Sequence, residues 1–362
     1  MTKIKAKIHS NGLIDAFLDG LKYADNETVY CEVSAVVYDG KHLIFANDKP
    51  IPNDSTATRS PIFFIDFADF PAAPTGFYTA PPLVEAQKFE AFTITPDGKY
   101  VIATTAFDRV DASGDSKFDN YNTLLMWPVD SPDSAKVISP STENGVTSSV
   151  HLRKYISSIL KTERFPDDVP YFKIESITAV PNNQILLGIR EFGKDYQPSN
   201  FEYATKLISV SYQIIEDEVI LLNDFQLVYD FDPSKKLGNF DYPVGLSSIE
   251  YDKFNDRLYL LTSYERDAAG AKTDEDIGAF LWSLPLDEFY AKRELELVID
   301  SSTLEPIFFA HKAEGIAVIN EHELIIVHDD DKITGRSKIE NPKTQFSKKP
   351  HQFAYTIIQF VD

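Results

Sequence analysis

A phrase recurs five times along this chain: a small or acidic residue, a short apolar strand, a tight turn and a second apolar strand that ends in charge. The copies read EVSAVVYDGKHLIFANDK from Glu32, EAFTITPDGKYVIATTAFDR from Glu90, ESITAVPNNQILLGIREF from Glu175, SSIEYDKFNDRLYLLTSYER from Ser247 and EGIAVINEHELIIVHDDDK from Glu314. Units repeated at about this spacing bury their faces only against neighbouring units. The spacing averages roughly 70 residues, so the chain holds five copies, which predicts an all-β fold, a five-bladed β-propeller that takes up residues 1–362 as a single domain.

Each copy extends to four strands. The first has Ser34–Tyr38, His42–Ala46, Ile62–Phe67 and a weak fourth around Leu83, and the second Ala91–Thr95, Tyr100–Thr105, Thr123–Val129 and Ala135–Ser139. The third has Ser176–Val180, Gln184–Ile189, Thr205–Tyr212 and Val219–Tyr229, and the fourth Ser248–Tyr251, Arg257–Ser263, Phe280–Leu284 and Glu294–Asp300. The fifth has only Gly315–Ile319, Glu323–Val327 and Phe353–Phe360. The alternating segment Ile4–Ser10 therefore supplies the missing outer strand and closes the ring between the termini, which removes an exposed sheet edge. Val150–Thr162 has apolar residues at helical spacing and reads as an inserted helix. A degenerate blade hidden there would make six blades.

Composition fits this fold. The 26 Phe and 18 Tyr are residues that favour pleated, half-buried surfaces. A net charge of −21 repels nucleic acid and anionic membranes, so neither is expected as a partner, and a cation is. The single cysteine, Cys31, excludes an intramolecular disulfide and a Cys-cluster zinc site. No apolar run near the N-terminus reads as a signal or span, and the expected location is cytoplasmic. Serine-hydrolase elbow, HExxH and Walker motifs are all missing from the sequence.

The hairpin geometry locates function. The turns Tyr38-Asp39-Gly40-Lys41, Pro96-Asp97-Gly98-Lys99, Pro181-Asn182-Asn183 and Asn255-Asp256 lie at one end of the blades, and their aspartates are turn formers. The five repeat starts meet the charged strand ends at the other. With the first strand innermost, they converge on the mouth of the central channel, beside Asp48, Arg109, Arg190, Glu191, His311, His328 and Asp329–Asp331. Carboxylates crowded on one axis raise one another's pKa, so either a metal or neighbouring arginines must compensate them. A cage of carboxylate and hydroxyl oxygens suits calcium. The first copy leaves Glu32 and Ser34 as open alternatives for the ring position.

The pattern Glu32-x-Ser34, Lys88-Phe-Glu90, Lys173-Ile-Glu175-Ser176, Gly245-Leu-Ser247-Ser248 and Ala313-Glu314-Gly315-Ile316 resembles the ring of calcium-activated nucleotidases (apyrases), and the third and fifth copies are also similar to phytase-like and esterase-like propellers. The resemblance covers the inner hairpins. It implies a central calcium ion held by Ser34, Glu90, Glu175, Ser247 (or Ser248) and Glu314. The chain departs from the nucleotidases at Asn47-Asp48-Lys49-Pro50 and lacks the phytase motifs.

Three functions follow. One is a metal-assisted hydrolase of a small phosphate or carboxylic ester, in which Arg109 or Arg190 grips the anion and His311 and His328 exchange a proton with metal-bound water or Asp329. Another is a lactonase or sugar-active propeller with two carboxylates as acid and base. The third is a non-catalytic propeller with structural calcium. All three take a small-molecule ligand or a partner at the channel mouth.

Overall fold

The computed structural model describes residues 4–53, 58–110, 116–197, 199–238, 240, 242–266, 276–330 and 348–361. Strands of one blade follow one another in chain order from the axis outwards. Blade 1 consists of Val33–Tyr38, His42–Asn47, Ile62–Asp66 and Gly76–Phe77, and blade 2 of Phe89–Ile94, Tyr100–Thr105, Leu124–Pro128 and Lys136–Val137. Blade 3 begins with Tyr171–Val180, Gln184–Gly193 and the long Phe201–Ile215, blade 4 with Gly245–Asp252, Arg257–Arg266 and Asp276–Pro285, and blade 5 is Ala313–Asn320, Glu323–His328 and Gln352–Val361.

Five hydrophobic cores lie between consecutive blades, including one between blades 5 and 1, so the ring is closed. Successive apolar residues point to opposite faces, Leu43 and Phe45 to one core and Ile44 and Ala46 to the next, so each sheet feeds the cores on both of its sides. Trp127 is fully buried between blades 1 and 2 and Trp282 between blades 3 and 4, where its indole N–H donates to Thr262 at 2.8 Å. Closure is by strand pairing between the two ends of the chain: Lys5–Asp15 runs antiparallel along the C-terminal strand, from Lys5 opposite Val361 to Asp15 opposite Gln352. That N-terminal strand is five residues longer at its end than the alternating segment Ile4–Ser10 suggested, because Gly12 lets it continue flat under the Tyr355 ring, 3.0 Å from where a Cβ would stand.

Three outer strands differ from expectation. Leu83 lies in a short helix, Pro81–Glu85, because two prolines at its start cannot donate to a ladder, and blade 1 takes Gly76–Phe77 as its edge instead. Val219–Tyr229 is split into Glu218–Leu221 and Gln226–Phe231, both paired with the long third strand, since Asp224 between them caps the Ser211 amide. Glu294–Asp300 is likewise broken: Glu296–Leu297 pairs within blade 4, whereas Ile299–Asp300 runs parallel to Lys5 and Ala6. The predicted insertion is a helix, Arg153–Ile159, packed on the core of blades 2 and 3, so the blades number five.

The turns behave as their residue types require. Gly40 (φ 98°) and Gly98 (φ 76°) sit in the left-handed region with open space around them, so conformation and not crowding selects glycine. Asn182 and Asn183 both take positive φ, the type I′ geometry that matches strand twist. Cys31 is buried among apolar residues and burial pushes its thiol up. Among the described residues no helix is long and apolar enough to cross a membrane.

Candidate functional site at the anchor end of the channel

The ladder between the first two strands is interrupted near the same end in every blade: between Val33 and Ala35, Phe89 and Ala91, Ile174 and Ser176, Leu246 and Ser248, and Ala313 and Gly315, with a second shift in blade 3 between Lys173 and Ile174 that skips Arg190 on the partner strand. The residues skipped on the first strands are Ser34, Glu90, Glu175, Ser247 and Glu314. A bulge leaves its extra residue unpaired and re-aims the side chain, so five equivalent bulges gather these five side chains around the axis. The register therefore decides the first blade in favour of Ser34. Glu32 lies two residues earlier, its carboxylate joined to Lys49.

All five are buried, but none of the glutamates is bare of cations. Two residues before each stands a lysine, and side chains two apart on a strand share a face. Lys88 lies 3.9 Å from Glu90 and 2.5 Å from Asp108; Lys173 is in contact with Glu175 and 3.4 Å from Glu90; Lys312 is 2.9 Å from Glu314 and 3.6 Å from Glu265. Arg190, at the end of the second strand of blade 3, adds 3.6 Å and 3.7 Å pairs to Glu175 and Glu191. It then crosses to blade 4, where it donates to Ser247 (2.9 Å) and Ser263 (2.8 Å). Gly245 makes this crossing possible, since a Cβ there would stand 2.8 Å from Arg190 Cγ. Ser34 turns the other way and donates to the Phe89 carbonyl of blade 2 at 2.5 Å.

Protons are unevenly held across the cluster. Burial would raise Glu175, but Lys173, Arg190 and Lys312 overcome it and hold the carboxyl at about 2. Burial and the charge of Glu175 push Glu90 well above the carboxylate range against the pull of Lys173 and Lys88. Burial, with the charge of Glu175, raises Glu314 to about 7 against the pull of Lys312 and Lys173. One oxygen of each of these three carboxyls is buried without an aligned hydrogen bond.

A calcium ion fits the ring poorly. Ammonium groups stand between the carboxylates, and the ring oxygens do not form a close oxygen cluster among the described residues. The close cluster that does occur is Glu32, Asp48 and Asp329, whose oxygens lie within 4.8 Å of one another, with Lys49 on Glu32 and Lys348 3.9 Å from Asp329.

The remaining candidates separate. Arg109 is half exposed, 4.7 Å over the Tyr121 ring and 3.7 Å from Asp108, at the edge of the network. His311 and His328 are fully buried with rings 5.2 Å apart. The carboxylate that serves His311 is Asp330, at 2.5 Å, and not Asp329, which is turned towards Lys348. His328 bonds Thr356 at 2.8 Å, and burial, with His311 beside it, pushes it down to about 3, so it is neutral. Asp331 lies outside the described residues. Blade 3 adds an aromatic rim that the repeat did not reveal: Tyr171 bonds Glu191 at 2.5 Å, and Phe201 packs between Tyr171 and Tyr203, whose ring lies under Arg190.

No family model matches the chain, and no curated protein sequence matches it. Solved structures do. A member of the DUF4221 family from Bacteroides vulgatus is 11% identical and covers 99% of each chain with a TM-score of 0.42. A mannose phosphorylase from Leishmania mexicana is 11% identical over 98% of this chain and 89% of its own, TM-score 0.40. A PQQ-bound aldose sugar dehydrogenase from Streptomyces coelicolor is 10% identical over 97% and 99%, TM-score 0.37.

Proposed function

We propose that the anchor-end mouth is the active site of a sugar-active hydrolase, one that cleaves a glycosidic or sugar-lactone bond in an uncharged substrate. The observation that carries this is the split ionisation of carboxyls on one axis. A group held ionised (Glu175) and one that keeps its proton until about neutral pH (Glu314) are the pair that acid–base cleavage requires.

Charge supports the substrate class. Among the described residues Lys88, Lys173, Lys312 and Arg190, with Arg109 at the edge, stand beside Glu90, Glu175, Glu314, Asp108, Glu191 and Glu265, five cations to six carboxyls. Each of these cations already faces a carboxyl, and Glu90 and Glu314 are the two carboxyls pushed up. Within this network of described residues no cation stands apart from a carboxyl to receive a phosphate. In this reading, for a glycoside, Glu314 donates its proton to the leaving oxygen as the C–O bond breaks, Glu175 stays an anion facing the developing positive charge, water adds to the sugar carbon and returns a proton to Glu314, and Tyr171, Phe201 and Tyr203 offer ring faces to the sugar.

The test is turnover of a panel of neutral glycosides and sugar lactones, with a pH profile. Activity should fall above about pH 7, and Glu314→Gln should lower kcat about 100-fold or more while leaving the fold intact. Absence of turnover and of binding for every neutral sugar would sink the reading. Calcium-assisted ester hydrolysis is a second reading, favoured only by the Glu32, Asp48 and Asp329 oxygens. It predicts a calcium-specific rise in Tm that Glu32→Gln with Asp329→Asn removes.

A further inference from the structure

The opposite mouth of the channel holds a cavity of about 150 Å³ that the acid–base reading does not use. It lies where the first hairpins turn. Its wall comes from Val37 and Tyr38 of blade 1, Ile94 of blade 2, Val318 of blade 5, and Glu250, Tyr251 and Phe254 of blade 4. A cavity of this size takes a molecule about as large as benzene and excludes a sugar chain.

One polar group in that wall stands apart. Glu250 is 8% exposed, and its Oε2 is buried without a hydrogen bond. Burial, with Asp252 behind it, pushes the carboxyl well above its ordinary range. The neighbouring acids are committed. Asp39 accepts from the Lys41 and His42 amides and pairs with the His42 ring at 2.8 Å, and Asp252 accepts from the Phe254 and Asn255 amides and the Asn255 side chain. Lys253 is exposed and lies 5.5 Å over the Phe254 ring, not on Glu250. A buried carboxyl oxygen with no partner is costly, and in native structures it calls for a functional reason.

We propose that this cavity binds a small organic cation, an ammonium of a few carbons, which pairs with Glu250 and rests against Tyr38, Tyr251 and Phe254. The cation would let Glu250 ionise by supplying the opposite charge it lacks, and aromatic faces attract a cation most where water is excluded. Apolar Val37, Ile94 and Val318 favour an alkylated ammonium over a hydrated metal ion. The site is independent of the anchor-end chemistry, so either can fail alone.

The experiment is titration calorimetry of the full chain at about pH 8 with tetramethylammonium and ethylammonium, against the uncharged tert-butanol, chosen so that Glu250 can give up its proton on binding. Saturable binding of an ammonium about tenfold tighter than tert-butanol is expected, and Glu250→Gln should lose that difference. Removing an unpaired buried acid should leave Tm equal or higher, so loss of binding would not reflect unfolding. Phe254→Ala, at a half-exposed position, should weaken binding several-fold with the fold intact. Equal binding of tert-butanol, unchanged binding by Glu250→Gln, or no binding of either ammonium overturns the proposal.

Discussion

Blades 2, 3 and 5 bring a Lys-x-Glu pair to the bulge, whereas blades 1 and 4 bring a serine to the same place. The backbone repeats and the chemistry does not. In the first group each carboxyl has its own lysine two residues away, yet the outcome differs with how closely the cations approach and with the charge of Glu175 beside the others: Glu90 has Lys88 at 3.9 Å and Lys173 at 3.4 Å and is still pushed up. Glu175 touches both Lys173 and Arg190 and stays ionised; Glu314, set between the two serine blades, has Lys312 and holds its proton to about 7. Serine at the bulge matters as a vacancy of charge. Ser247 lets Arg190 lean across from blade 3, and Ser34 ties the first strands of blades 1 and 2 together.

Arg190→Met breaks that contrast most severely. The guanidinium is buried, and its loss leaves Glu175 with Lys173 and the more distant Lys312, and leaves the Ser247 and Ser263 hydroxyls, 2.5 Å apart, with each other but without their charged donor. Removing one partner of a buried pair costs about 3–5 kcal/mol, which denaturant unfolding would read directly. Adding Glu175→Gln should recover part of it. A loss below about 1 kcal/mol would mean that Arg190 does not hold blades 3 and 4 together, and the asymmetry would be incidental.

Much of the ring was legible, and the reason is physical. A hairpin of two apolar strands has its register set by a turn fixed by Gly40, Gly98 or Asn182, and five such hairpins close a ring. Counting from those turns reaches Glu90 and Glu175, but in the first blade it reaches Glu32, and only strand length points to Ser34, where the bulge falls. Pairing was harder to read. Lys88, Lys173 and Lys312 repeat two residues before the three glutamates, a signal present in the sequence, but whether a lysine compensates its own carboxylate or faces solvent depends on the neighbouring blade. Arg190 reaching Ser247 is a contact between blades, set by Gly245, and no local pattern encodes it. The unpaired oxygen of Glu250 was equally hidden, because nothing in one strand tells what the four others leave open.

The two kinds of glutamate should separate by pH. Glu314 has a folded pKa of about 7, above its ordinary 4.5, so the stability it contributes is fully present below 4.5 and is lost as pH rises through about 7. Glu175 is held at about 2, so its contribution is present above 4.5 and is lost as pH falls towards 2. Unfolding measured across this range should give a stability that declines by on the order of 2–3 kcal/mol between pH 4.5 and 7 from Glu314. In Glu314→Gln that decline should shrink and the acid-side loss remain. A variant that keeps the full neutral-side decline would transfer the raised carboxyl to Glu90, the other group pushed upward.

Smallest is the effect expected at the serine that joins blades 1 and 2. Ser34→Ala removes a hydroxyl that donates to the Phe89 carbonyl, and leaves that buried oxygen short of one partner. A neutral hydrogen bond of this kind contributes about 1 kcal/mol, with no charge exposed and no volume lost beyond one oxygen. The stability loss should therefore be the same at pH 5 and pH 8, unlike any change made at a Lys-x-Glu blade. A pH-dependent loss in Ser34→Ala would show that the serine blades share in the proton balance of the ring, and the division between the two groups of blades would have to be redrawn around Ser34 and Glu90.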